Sequence, residues 1–167
     1  MLTNPKSILK PPNLAWKYAR GVTLGLDYLH RQGIVHGDIK PSNILLDPVT
    51  STVKITDFGT SLHTNQINND AKRMGSPAFM APELVAEDGE HSGSAVDVWA
   101  LGVTIHMFIF GTIPFKGNTM MQLVNSIIGD DFQMPKEADD KAGLNKKNLD
   151  SLFDFMLTKD TEMRIST

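Results

Sequence analysis

Between Asp97 and Lys116 the chain carries no Asp, Glu, Lys or Arg. Val98 to Phe110 is apolar on nearly every side of a helical wheel, the pattern of a helix covered by protein all round. Crossing a bilayer takes about 20 predominantly apolar residues. Gly102, Thr104, His106, Gly111, Thr112 and Pro114 interrupt this stretch, and Pro114 would break a helix running through it. The stretch therefore predicts a central buried helix over 95–110, around which the rest of the fold must be arranged.

The remaining elements follow from periodicity and punctuation. Asn13 reads as a helix cap. Leu14, Tyr18, Val22, Leu26 and Leu29 then share one helical face, and Gly33 takes the position just past the helix end. Ile44-Leu45-Leu46 and Val53-Lys54-Ile55 read as two short strands joined across 47–52. Residues 60–80 show neither period, and a loop of that length in a compact domain is usually functional. Met120 to Ile128 reads as a short amphipathic helix and 130–147 as surface loop. Leu149, Leu152, Phe153 and Met156 mark a last helix ending near Thr158. The inventory is one small hairpin and then mostly helix.

Bulk properties narrow the function classes. The 167 residues are 41% hydrophobic and 21% charged, enough for one domain with a real core and unlike a disordered or fibrous chain. A net charge of −3 gives no electrostatic footprint for nucleic acid or an anionic membrane. The absence of cysteine excludes disulfides, thiolate zinc sites and cysteine nucleophiles. It is compatible with a reducing compartment, so the cytoplasm, or else the nucleus, is the expected location. Residues 1–10 hold Lys6 and Lys10 and no apolar run, which argues against a secretory signal.

The chemistry lies in three short motifs: His36-Gly37-Asp38-Ile39-Lys40-Pro41-Ser42-Asn43, then Asp57-Phe58-Gly59, then Ala81-Pro82-Glu83. Each tripeptide alone is uninformative. Their joint order and spacing resemble the catalytic loop, metal-binding turn and activation-segment end of a protein kinase. Phosphoryl transfer needs an acceptor near the attacking hydroxyl, cations against the phosphates, and geometry. Asp38 fits the first need, and Lys40 can set an ammonium against the transferring group. Asn43 and Asp57 offer oxygens to Mg²⁺, which prefers hard oxygen donors. Gly59 lets the backbone turn sharply behind Asp57.

The resemblance implies further roles. His36 and Phe58 would be the lower half of a hydrophobic stack. Leu45 would join Lys40, Asn43 and Asp57 in binding ATP. Asp97 in Asp97-Val98-Trp99-Ala100-Leu101-Gly102 would anchor the catalytic loop, and Arg164 would pair with Glu83. Ser76, in Gly75-Ser76-Pro77-Ala78-Phe79-Met80, would hydrogen-bond toward Asp38 and Lys40; the rival reading of Ser76 is a phosphosite. Lys40 at this position implies serine/threonine specificity. Within that class the motifs are most similar to the calcium/calmodulin-dependent protein kinase kinases, implying protein substrates that include other kinases.

The implied fold is mainly α (α+β): the C-terminal lobe of a kinase-like fold over 1–167, with a short β-hairpin beside the catalytic loop. The expected cofactors are ATP and Mg²⁺, with no nucleic-acid or membrane partner.

The sequence also departs from the family. Gly37 stands where an arginine usually reads an activation-loop phosphate, and residues 65–75 contain no Ser, Thr or Tyr. Activity independent of phosphorylation there is expected. No Gly-rich loop, phosphate-binding strand lysine or adenine hinge precedes His36. No further helix and no calmodulin-target segment follows Arg164. The expectation is a partial kinase domain, inactive alone, whose missing parts reflect either a partial gene model or a split gene with the small lobe supplied elsewhere. A non-catalytic binding scaffold is the alternative.

Overall fold

A computed structural model describes residues 12–47, 49, 50, 52–64, 75–86, 93–136 and 145–167. The extended lead-in expected over 1–12, apart from Pro12, most of the phosphosite-free stretch and part of the 130–147 surface loop lie outside the described residues.

Helix α1 spans Pro12–Arg31. It starts one residue before the expected cap, with Pro12 in the first turn and Asn13 inside the helix. Proline suits that place because its missing N–H would have had no partner in the helix. The helix closes at Gly33, whose φ is 70° and whose N–H donates to His30 O at 2.9 Å. Strand β1 is Ile34–Val35. Strands β2 (Ile44–Leu46) and β3 (Val53–Ile55) form the expected antiparallel hairpin, with Leu45 opposite Lys54. A Cβ on Gly21 would lie 2.8 Å from Val53 Cγ2, so a glycine there is what lets the hairpin lie directly on α1.

One element was not expected. Leu62–His63 forms strand β4, which pairs antiparallel with β1 through Ile34–His63 and Val35–Leu62. Residues 60–80 are therefore not wholly loop. Two-residue strands carry too little alternation to register as a period, and only the partner across the fold defines them. Short 3₁₀ turns at Pro41–Asn43, Phe58–Thr60 and Pro77–Phe79 punctuate the same region. Helix α2 (Pro82–Val85) follows.

Helix α3 is Ala95–Phe110, the predicted central helix, and every residue from Val96 to His106 is buried. Helix α4 is Met120–Gly129, capped by Thr119 Oγ1 accepting from Gln122 N at 3.2 Å. Helix α5 is Lys146–Met156, capped by Asn145. The core is built on α3 and packs α1 on one side and α5 on another, with Trp99, Leu101, Leu26 and Phe153 all almost wholly enclosed. Trp99 stacks on Phe115 at 5.4 Å between ring centroids. No described helix is long and apolar enough to cross a membrane.

His106 introduces a pH dependence into this core. It is 1% exposed, and Nδ1 faces Thr112 O at 2.6 Å, so Nδ1 carries the proton and donates. Phe110, Phe132 and Phe153 surround the ring. Burial pushes its pKa down from 6.5 to about 4. The unfolded chain thus binds a proton at a pH where the folded chain does not. Stability should fall as pH drops from 6.5 toward 4, by about 3 kcal/mol at 1.36 kcal/mol per unit. Urea unfolding midpoints for the parent and His106→Gln across this range should show a shallower acid limb in the variant.

Candidate active site

The β1–β4 pair and the β2–β3 hairpin bracket the loop from His36 to Asn43. The loop is tied down from below. Asp97, 1% exposed in the first turn of α3, accepts His36 N–H at Oδ2 and Gly37 N–H at Oδ1, both at 2.8 Å. His30 Nε2 reaches the same Oδ2 at 3.0 Å. The expected anchoring by Asp97 is therefore present in the geometry.

His36 uses both ring nitrogens. Nδ1 accepts Asp38 N–H at 3.2 Å, which leaves Nε2 as the protonated nitrogen donating to Thr56 O at 3.0 Å. Its ring meets Phe58 edge-on at 5.1 Å, so the expected His36–Phe58 contact exists. Thr60 Oγ1 and Ser61 Oγ donate to His36 O at 3.0 and 3.2 Å. Sequence reasoning missed His30, Thr56, Thr60 and Ser61. The available signal was hydroxyl residues crowding both sides of Asp57-Phe58-Gly59, since these side chains readily satisfy backbone groups in turns.

Asp38 is held at both oxygens. Oδ1 accepts Ser76 N–H at 3.0 Å, while Oδ2 accepts Lys40 Nζ at 2.5 Å and Asn43 Nδ2 at 3.1 Å. Lys40 Nζ also donates to Ser76 Oγ at 2.6 Å. Ser76 thus meets both residues the sequence assigned to it. Burial pushes the Asp38 carboxyl up, but the Lys40 ammonium and the Asn43 and Ser76 donors outweigh it and hold its pKa below 3.8. Asp38 is therefore a fixed anion at neutral pH, suited to orienting a hydroxyl proton.

The activation-segment return fits closely over this loop. Gly37 has φ 79° and Gly75 has φ 125°, both left-handed values that glycine favours. A Cβ on Gly75 would stand 2.9 Å from Gly37 O.

At the second motif the structure revises one expectation. The unusual backbone is at Asp57 itself (φ 66°, ψ 72°), the only non-glycine with positive φ among the described residues. Gly59 sits in the following 3₁₀ turn without a positive φ. Its value is room: a Cβ there would lie 3.3 Å from Asp57 Oδ1. Such backbone costs of order 1–3 kcal/mol and concentrates at functional sites. Asp57 is exposed, and Leu45 and Phe58 beside it are 57% and 48% exposed.

The donor set suits a magnesium ion. Asn43 spends Nδ2 on Asp38, and its Oδ1, which accepts Ser42 Oγ–H at 3.4 Å, keeps a second lone pair able to ligate. No cluster of three or more His, Asp or Glu able to hold a metal exists among the described residues. Asn43 and Asp57 could supply two oxygens, with phosphate and water completing the shell, as Mg²⁺ usually requires.

Farther out, Arg164 clamps Glu83 with two parallel bonds, Nη1 to Oε1 at 2.7 Å and Nη2 to Oε2 at 3.0 Å. It also donates to Ala95 O and Thr158 O and lies over the Trp99 ring at 5.1 Å. This is the pairing expected from the sequence.

Comparison with known proteins agrees with this geometry. The protein kinase domain family matches residues 2–167. The chain is 41% identical over 162 residues to serine/threonine-protein kinase ssp1 of Schizosaccharomyces pombe, covering 91% of this chain and 24% of that protein. It is 42% identical over 154 residues to a calcium/calmodulin-dependent protein kinase kinase of Caenorhabditis elegans, covering 90% and 27%. It is 41% identical over 140 residues to serine/threonine-protein kinase TOS3 of Saccharomyces cerevisiae, covering 75% and 25%. The chain spans about a quarter of the length of the curated relatives it matches. With the catalytic-loop, metal-turn and Glu83–Arg164 geometry in place, this chain belongs to the protein kinase family.

Proposed function

We propose that these residues form the large lobe of a serine/threonine protein kinase, moving the γ-phosphoryl group of ATP to protein hydroxyls. The observation that carries this is the Asp38–Lys40–Ser76–Asn43 hydrogen-bond cluster, in which the Lys40 ammonium bridges the Asp38 carboxylate and the Ser76 hydroxyl. Asp38 would orient the substrate hydroxyl or accept its proton, using the lone pair left at Oδ1. Lys40 balances charge on the transferring group. Asn43 and Asp57 would hold Mg²⁺, which when bound neutralises phosphate charge. Leu45 would contact the nucleotide. Protein substrates that are themselves kinases fit the likeness to a kinase kinase. A cytoplasmic or nuclear location fits the absence of cysteine.

With Leu45, Asp57 and Phe58 exposed, this chain would cover a nucleotide from one side only. The purified 167-residue chain should therefore transfer no phosphate to a generic serine/threonine peptide above an Asp57→Ala control. Turnover clearly above that control would overturn the half-site reading. The glycine at 37 supports activity that needs no activation-loop phosphate. A binding scaffold remains the second reading, favoured by the exposed face, but it gives no physical reason for Asp38, Lys40, Asn43 and Asp57 together.

A further inference from the structure

His30 occupies the last turn of α1, away from the proposed phosphates, yet its side chain is only 9% exposed and both nitrogens have partners. Nε2 stands 3.0 Å from Asp97 Oδ2, and Nδ1 stands 2.8 Å from Thr167 Oγ1. Asp97 is the carboxylate that receives the His36 and Gly37 amides. A continuous run of hydrogen bonds therefore joins Thr167 to the backbone on which Asp38 sits.

The tautomer follows from the partners. A carboxylate oxygen can only accept, so His30 Nε2 must carry a proton. In the neutral ring Nδ1 is then a bare acceptor, and the Thr167 hydroxyl is the donor that meets it. The opposite neutral tautomer would set a nitrogen lone pair against Asp97 Oδ2. Thr167 is placed by firm neighbours: Ile165 N–H donates to Phe155 O at 3.2 Å, and Arg164 is locked on Glu83.

We propose that Thr167 is a positioning residue of the catalytic loop, acting through His30 and Asp97. Asp97 sets the Nε2–H form, and the Thr167 hydroxyl, donating to Nδ1, fixes the plane of the His30 ring so that its Nε2–H keeps the Asp97 carboxylate turned toward the His36 and Gly37 amides. It would link the segment after the Glu83–Arg164 clamp to the loop that carries Asp38. The catalytic consequence rests on the kinase reading above, but the hydrogen-bond run does not.

The test uses the whole chain labelled with ¹⁵N. Long-range ¹H–¹⁵N correlation at neutral pH reads the His30 tautomer, and amide exchange reads protection of His36 and Gly37. The parent should show His30 protonated at Nε2 with a hydrogen-bonded Nδ1. Thr167→Val, which keeps the shape and removes the hydroxyl, should move the Nδ1 resonance and lower Gly37 protection by roughly tenfold, the loss of about one hydrogen bond. Thr167→Ser should restore both. A parent found protonated at Nδ1 would overturn the proposal without any variant. An unchanged His30 ring and unchanged amides in Thr167→Val, or failure of Thr167→Ser to restore them, would also overturn it. None of these readings involves phosphotransfer, so failure of the proposed function would leave this result standing.

Discussion

Arg164→Ala should lower the stability of this chain by about 3–5 kcal/mol, the usual consequence of breaking a buried ion pair by removing one partner. The Arg164 side chain has 0% exposure and that of Glu83 has 9%. Truncation leaves the Glu83 carboxylate without its two-pronged partner and leaves Ala95 O and Thr158 O each short of a donor. It also opens a hole against Trp99, the largest fully buried side chain. Glu83→Gln should cost less, because an amide oxygen still accepts one guanidinium bond. Urea unfolding followed by Trp fluorescence measures both, and equal midpoints for Arg164→Ala and the parent would refute this picture of the clamp.

Asp97→Ala should be comparably damaging, for a different reason. Asp97 is a hub for three donors: His36 N–H, Gly37 N–H and His30 Nε2–H. Leaving a buried donor unsatisfied costs about 1–3 kcal/mol each, so the total should reach roughly 3–5 kcal/mol once some relaxation is allowed. Its place in the first turn of α3 adds a favourable interaction between carboxylate and helix N-terminus that alanine also forfeits. The signature is local. Amide exchange at His36 and Gly37 should rise far more than at Leu101 or Val103, which lie in the same helix and do not depend on the carboxylate. Uniform loss of protection across α3 would instead indicate a global effect.

Much of this arrangement was legible in the sequence because strong periodicity and strong motifs coincide. The uncharged stretch after Asp97 marked α3 to the residue, since its polar interruptions and Pro114 rule out a membrane span and leave burial by protein on all sides. The α1 stripe and its Gly33 stop were equally direct. Glu83 and Arg164, far apart in sequence, paired only through family resemblance; nothing in their local composition separates them from surface charges. The β1–β4 pair was not legible, because two residues carry no alternation and the partner is decided by tertiary contact. Nor was the division of labour at Asp57-Phe58-Gly59. Sequence logic assigns unusual backbone to glycine, whereas here the aspartate adopts it and the glycine makes space. His30 was hidden for a simpler reason: a single histidine at a helix end looks like a solvated one until Asp97 is seen beside it.

The central claim is that Asp38, Lys40, Asn43 and Asp57 form the lower half of a phosphoryl-transfer site. It is tested most directly by supplying the upper half. A chimera would carry residues 12–167 in place of the matching region of the Caenorhabditis elegans kinase kinase, which is 42% identical over 154 residues. The chimera should phosphorylate serine or threonine in a protein substrate. Asp38→Asn within it should cut the rate by roughly 10²–10⁴-fold, the range for removing a positioned proton acceptor, while leaving nucleotide binding intact. A folded, ATP-binding chimera whose rate is no higher than that of its Asp38→Asn variant would contradict the account.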